Sequence, residues 1–105
     1  MIDSLDDIVR ALHPLHAPPS PPGWNHDYLV ELIGDAPRTE AAVLMAIRAG
    51  AEPRVVFTLR RDDLTQHAGQ VSFPGGRADR GDIGAVATAL RESREEIALD
   101  PTLAE

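Results

Sequence analysis

The chain has no cysteine. That excludes disulfides, thiolate nucleophiles and zinc–thiolate centres, and accords with a reducing, cytoplasmic setting. Aromatic residues are scarce, with one Trp, one Tyr and two Phe, so an aliphatic core is expected. Positive charge is also in deficit: 10 Lys and Arg against 17 Asp and Glu leave a net charge of -7. A nucleic-acid backbone requires clustered cations, so no nucleic-acid partner is expected. No apolar run reaches the about 18 residues of a membrane span. Asp3, Asp6 and Asp7 stand where a secretory leader needs positive charge. No membrane partner is expected either, and 105 residues suffice for one small domain.

What the sequence does contain falls into three stretches. Residues 1–13 place Ile2, Leu5, Ile8, Val9 and Leu12 at helical spacing, with Asp3 or Ser4 as N-cap, and predict a short amphipathic helix. Residues 14–37 form a proline-rich linker followed by an apolar cluster around Trp24, Tyr28, Leu29, Val30, Leu32 and Ile33. Trp24 reads as an anchor holding the linker onto the core, in preference to a stacking platform, since no second stacking aromatic accompanies it. His13 and His16 flank Pro14 with no third ligand nearby and are read as exposed. The domain proper is expected over 38–105. There, 41–48 and 54–60 read as strands of a hairpin turning through 49–53, and Gln70 to Phe73 as a further short strand.

The remaining stretch carries the chemistry. A helix predicted from about Ala85 to Ala98 would bury Val86, Leu90, Ser93 and Ile97 as one stripe. Glu92, Glu95 and Glu96 then share another face at i, i+3, i+4, where like charges destabilise a helix unless something neutralises them. Hard oxygen donors so clustered suit Mg2+ or Mn2+, and Arg91 can orient one carboxylate through i, i+4 pairing with Glu95. The same run also suits a solvated, charged helix face. Upstream, Gly75 and Gly76 follow Phe73-Pro74 and allow backbone amides to approach a ligand, with the predicted helix directing its positive end at that loop. Arg60 and Arg61 could meet substrate phosphate or pair with Asp62 and Asp63. His67 is either a hydrogen-bonding loop residue or a substrate contact. Asp100-Pro101 is expected to close the helix.

These residues resemble a known family. Gly76-Arg77-Ala78-Asp79-Arg80-Gly81-Asp82, followed by Arg91-Glu92-Ser93-Arg94-Glu95-Glu96-Ile97-Ala98-Leu99, is similar to the Nudix box of diphosphate hydrolases, usually written G-x5-E-x7-R-E-U-x-E-E-x-G-U. The run from Thr58 to Gly76 is similar to the extra signature of the coenzyme A pyrophosphatase branch. This sequence departs from those patterns in several places. Gly76 to Arg91 is one residue longer than the general box, and Asp79 or Asp82 serves as its first acid. Ala98 stands for the box Gly, Thr65 for a signature Arg, and Arg61 occupies a small Ser/Ala position.

The resemblance implies an α/β (α+β) fold, the Nudix α/β/α sandwich with a mixed sheet. It further implies hydrolysis of a small-molecule nucleoside diphosphate linked to a group X, with Mg2+ or Mn2+ as cofactor. Glu92, Glu95 and Glu96 would be metal ligands, with Glu95 or Glu96 positioning water, and Arg91 would orient. Gly75, Gly76, Arg60 and His67 would meet substrate. The favoured substrate is coenzyme A or a derivative, and ADP-ribose represents another class. Because the sequence stops at Glu105, the expectation is a sheet incomplete at its C-terminal side, with open strand edges that favour association, for example as a homodimer. The same observation makes a non-catalytic remnant that binds a partner or nucleotide an alternative.

Overall fold

A computed structural model describes residues 4–14, 16–17, 20, 22–63, 65 and 68–104. Its contacts divide the chain into two units, Met1–Arg38 and Thr39–Glu105. In the first, helix α1 (Leu5–Ala11) begins where the Ser4 hydroxyl accepts the Asp7 N–H at 3.3 Å. Asp6 and Asp7 in its first turn complement the positive end of the helix. Ile2 and Asp3 lie outside the described residues. Helix α2 (His26–Ile33) forms where Tyr28, Leu29, Leu32 and Ile33 recur at helical spacing, a periodicity the sequence carried without being read. It stops at Gly34, whose φ of 58° is one that glycine adopts without strain. Trp24, expected as an anchor, is 97% exposed in the turn that enters α2.

The second unit is built from three extended segments, 41–48, 54–59 and 71–77, each broken into two short strands. These are β1 (Ala41–Val43), β2 (Ile47–Arg48), β3 (Arg54–Val55), β4 (Thr58–Leu59), β5 (Val71–Ser72) and β6 (Gly75–Arg77). The expected hairpin is present as β2–β3, with Ile47 opposite Val55 and Arg48 opposite Arg54. The breaks let each segment pair with both others: β4 runs antiparallel to β5, and β1 antiparallel to β6 in the register Ala41–Arg77, Ala42–Gly76, Val43–Gly75. Hydrogen bonds across the breaks, such as Leu44 N–H to Pro74 O at 2.7 Å and Val56 N–H to Ala46 O at 2.9 Å, keep the segments continuous. Helices and antiparallel ladders together make an α/β fold. No helix among the described residues is long and apolar enough to cross a membrane.

Helix α3 (Gly84–Ile97) packs on β1 and β6. The buried stripe differs from the one expected. Thr88, Ala89 and Ser93 are buried, whereas Val86 is exposed and Leu90 and Ile97 are half-buried. The physical reason is close approach: small residues lie at the buried positions of a helix that packs on β1 and β6, where bulkier ones would hold the layers apart. Ser93 pays no penalty for burial because its hydroxyl donates to Ala89 O at 2.7 Å.

The closure of α3 by Asp100-Pro101 also differs from expectation. The helix terminates at Ala98, a left-handed residue at φ 54°, ψ 32°, two residues before Asp100. Asp100 instead caps the 3-10 turn Pro101–Leu103, accepting from the Thr102 N–H at 2.9 Å and the Thr102 hydroxyl at 2.7 Å. Those two bonds lower its pKa.

Candidate active site

The site is organised by Arg91, on the α3 face turned toward the loop 78–83. Its Nε donates to Asp82 Oδ1 and its Nη2 to Asp82 Oδ2, both at 2.9 Å, a two-pronged fork. Nη2 also donates to Arg77 O at 2.9 Å, tying the helix to the end of β6. Nη1 donates to Glu92 at 3.1 Å and to both carboxylate oxygens of Glu95 at 3.3 Å. One guanidinium therefore serves three carboxylates, and this is how the helix tolerates its acidic run.

Asp82 is held from all sides. Besides Arg91 it accepts the Thr88 hydroxyl and the Asp79 N–H, each at 2.9 Å. Its side chain is 8% exposed. Hydrogen bonds from Arg91, then from the Asp79 backbone and from Thr88, hold its carboxyl well below the usual carboxylate range. Asp79 makes no comparable contact among the described residues, where its side chain accepts the adjacent Arg80 N–H at 3.0 Å. Of the two candidates for the first acid, the structure puts Asp82 against Arg91. Counting forward from Gly76 would have found it, since Asp82 stands after five intervening residues and the extra residue falls beyond it.

The double glycine is not a loop, as expected, but part of β6, paired with β1. The two glycines serve different neighbours. A Cβ on Gly75 would lie 2.3 Å from Ala42 O and 2.6 Å from Val43 Cα, so the strand backbones themselves demand glycine there. A Cβ on Gly76 would lie 2.5 Å from Glu92 Cδ and 2.6 and 2.7 Å from its two oxygens. The Glu92 carboxylate thus rests on bare strand backbone, with its side chain 18% exposed. The α3 N-terminus begins beyond the loop at Gly84, with no side-chain cap from Ile83.

The three glutamates are not equivalent. Glu92 and Glu95 share Arg91, and Glu95 is 59% exposed. Glu96 is exposed and makes no hydrogen bond or ion pair among the described residues. It lines an open groove of about 410 Å3 with Phe57, Thr58, Arg60, Arg61 and Ile97. Among the described residues no group of three His, Asp or Glu side chains is gathered as a metal cage. Arg60 belongs to the groove rather than to the Arg91 cluster, and Arg61 is drawn aside by Asp63, its Nε donating at 3.0 Å. His67 lies outside the described residues. Sequence reading missed Thr88, whose spacing of six residues from Asp82 gave no local signal.

Comparison with known proteins places this geometry. Residues 37–105 match the NUDIX domain. The "Uncharacterized Nudix hydrolase NudL" of Yersinia pestis (strain Pestoides F) is 50% identical over 64 residues, which are 61% of this chain and 32% of that protein. The protein of the same name from Yersinia pseudotuberculosis (strain YPIII) matches to the same extent, 50% over 64 residues. The matched region thus spans about a third, 32%, of the length of these relatives. With that family match covering the strands, Gly75-Gly76 and all of α3, this chain belongs to the NUDIX domain family.

Proposed function

We propose that the chain carries out divalent-metal-dependent hydrolysis of a diphosphate bond in a nucleoside diphosphate linked to a group X, with coenzyme A or a derivative as substrate. The observation that carries this reading is the Glu92 carboxylate seated on the side-chain-free backbone of Gly76, beside an arginine that already neutralises two neighbouring acids. Nudix hydrolases generally use divalent metals such as Mg2+ or Mn2+. The donor set here suits such an ion: Glu92, Glu95 and Glu96 offer hard oxygens within about one helical turn. Glu95 and Glu96 are exposed, so their carboxylates turn between rotamers without disturbing packing.

In this reading Glu92, Glu95 and Glu96 would hold the cation, which when bound polarises phosphoryl oxygens and lowers the pKa of water. Arg91, fixed by Asp82, orients the Glu92 and Glu95 carboxylates. Glu95 or Glu96 positions the attacking water. Gly76 seats the Glu92 carboxylate on β6 and Gly75 lets β1 pair beside it, while Arg60 and His67 are substrate contacts. Water adds to one phosphorus as the bridging P–O bond breaks, and coenzyme A would give adenosine 3',5'-bisphosphate and phosphopantetheine. Apolar side chains left exposed on the strands, among them Val43, Leu59 and Val71, favour a homodimer, which sedimentation would register.

The test is incubation with coenzyme A, ADP-ribose and Mg2+. Diphosphate cleavage that disappears in Glu95→Gln supports the reading, and cleavage that persists in that variant overturns it. The lack of a ready-made three-acid cage among the described residues favours one second reading, a non-catalytic binding module. It predicts ligand binding with no turnover in Mg2+ or Mn2+.

A further inference from the structure

Thr88 and Ser93 are both buried on α3, and they direct their hydroxyls differently. Ser93 donates to Ala89 O at 2.7 Å, the common bond of a helical serine to the carbonyl four residues back. Thr88, 1% exposed, has the same kind of partner in Gly84 O, at a longer 3.4 Å. Its short bond, 2.9 Å, leaves the helix for Asp82 Oδ2. The chain enters α3 at Gly84 with a φ of 84°, and the loop before it returns Asp82 to the helix face that carries Thr88 and Arg91, one turn apart.

That bond bears on the site through a soft torsion. An aspartate carboxylate turns broadly about its last bond unless neighbours fix its plane. Arg91 needs a fixed plane, since its Nε meets Oδ1 and its Nη2 meets Oδ2, both at 2.9 Å. Oδ2 is the oxygen that is pinned: besides Nη2 it accepts the Asp79 N–H and the Thr88 hydroxyl, each at 2.9 Å. Asp79 belongs to the same loop as Asp82, whereas Thr88 stands in the helix that carries Arg91, Glu92 and Glu95. We propose that Thr88 is a positioning residue for the reaction: its hydroxyl fixes Asp82, which holds the Arg91 guanidinium, which in turn sets the Glu92 and Glu95 carboxylates for a divalent cation. This rests on the function proposed above and extends its site to a buried residue that acts only through others.

Thr88→Val removes the hydroxyl with little change of shape and leaves Asp82 one donor short. Its kcat on coenzyme A with Mg2+ should fall about fivefold at a KM near the parent value, less than the loss typical of groups bonded directly to metal ligands. Mn2+ affinity, read by paramagnetic resonance without substrate, should fall about threefold. Thr88→Ser keeps the donor and should return both readouts to the parent value. Thr88→Ala removes the same donor and should match Thr88→Val, so it carries the test if Thr88→Val does not fold. In an Arg91→Lys background Thr88→Val should cause no further loss, because the link it supports is already broken. Ser93→Ala, which takes a buried hydroxyl from the same helix, should leave both readouts unchanged. Unchanged Mn2+ affinity in Thr88→Val, no rescue by Thr88→Ser, an additive loss with Arg91→Lys, or an equal loss in Ser93→Ala overturns the inference. Cleavage of no substrate by the parent would refute the proposed function, while the Mn2+ affinities would still decide the role of Thr88.

Discussion

The two adjacent glycines provide the sharpest test, because the same methyl group placed at either should fail in a different way. At Gly75 a Cβ meets the carbonyl oxygen of Ala42 at 2.3 Å and Val43 Cα at 2.6 Å, both backbone atoms of the paired strand. Ordinary contact begins near 3.4 Å, so β1 must retreat by roughly 1 Å, and the β1–β6 register that carries α3 is lost with it. Overpacking of this kind costs about 1–3 kcal/mol. Each ladder hydrogen bond lost adds about 1 kcal/mol. A total near 3 kcal/mol in a domain of this size lowers Tm by about 12 °C or more. At Gly76 the Cβ meets only the end of the Glu92 side chain, which can swing away. Gly76→Ala should therefore keep Tm within about 4 °C of the parent. It should nevertheless lose Mn2+ affinity and diphosphate cleavage, because the carboxylate no longer rests on the strand. Melting followed by circular dichroism, with Mn2+ binding by paramagnetic resonance, reads both. A Gly75→Ala protein that melts like the parent, or a Gly76→Ala protein that binds Mn2+ and cleaves normally, would refute the reasoning.

Three further outcomes are expected. Ala98 holds a left-handed conformation at the end of α3, which costs a non-glycine residue about 1 kcal/mol, so Ala98→Gly should raise Tm by about 4–8 °C with cleavage unchanged. Asp82, whose pKa is lowered in the fold, contributes stability above the unfolded aspartate value of about 4, and that contribution is lost as pH falls through the lower folded value. The acid limb of the pH–stability curve should therefore be steep below about pH 4 in the parent and flatter in Asp82→Asn, as read by melts across pH. Arg91→Lys keeps the charge but cannot make the fork to Asp82 while reaching Arg77 O and Glu95, so cleavage should fall at least tenfold with a smaller change in Mn2+ affinity.

Much of this was legible in order along the chain, and less of it in space. Helical spacing placed α3 within one residue of its observed ends, and the turn 49–53 announced the β2–β3 hairpin. The strands were harder. Segments 41–48 and 54–60 read as unbroken because alternation is a local signal, whereas the breaks at 44–46 and 56–57 exist so that each segment can pair with two others. Gly75-Gly76 reads as a loop by composition alone, since glycine weakens an isolated strand. Only the neighbour across the ladder and the helix above it show why glycine is needed in this one. Likewise Asp79 and Asp82 were indistinguishable as letters. The choice fell to Asp82 through contacts with Thr88, Arg91 and the Asp79 backbone, which depend on how the loop folds back onto α3.

The displaced core stripe of α3 links packing to the candidate site. Had Val86, Leu90 and Ile97 faced the strands, their bulk would have set the helix at the usual separation and turned Glu92 away from β6. The residues that are buried instead, Thr88, Ala89 and Ser93, are small, and they lie on the helix that packs on β1 and β6. Such a core buries little apolar area: among the described residues its buried apolar side chains are Ala89 and Pro74. The structure compensates with directed polar contacts: Ser93 to Ala89, Thr88 to Asp82, and Arg91 to Asp82 and Arg77. Stability is thus conceded where the layers must come close enough for a helical carboxylate to touch strand backbone. An enlarged core residue such as Ala89→Leu should accordingly cost more in cation binding than in melting temperature, because it lifts Glu92 off Gly76 before it unseats the helix.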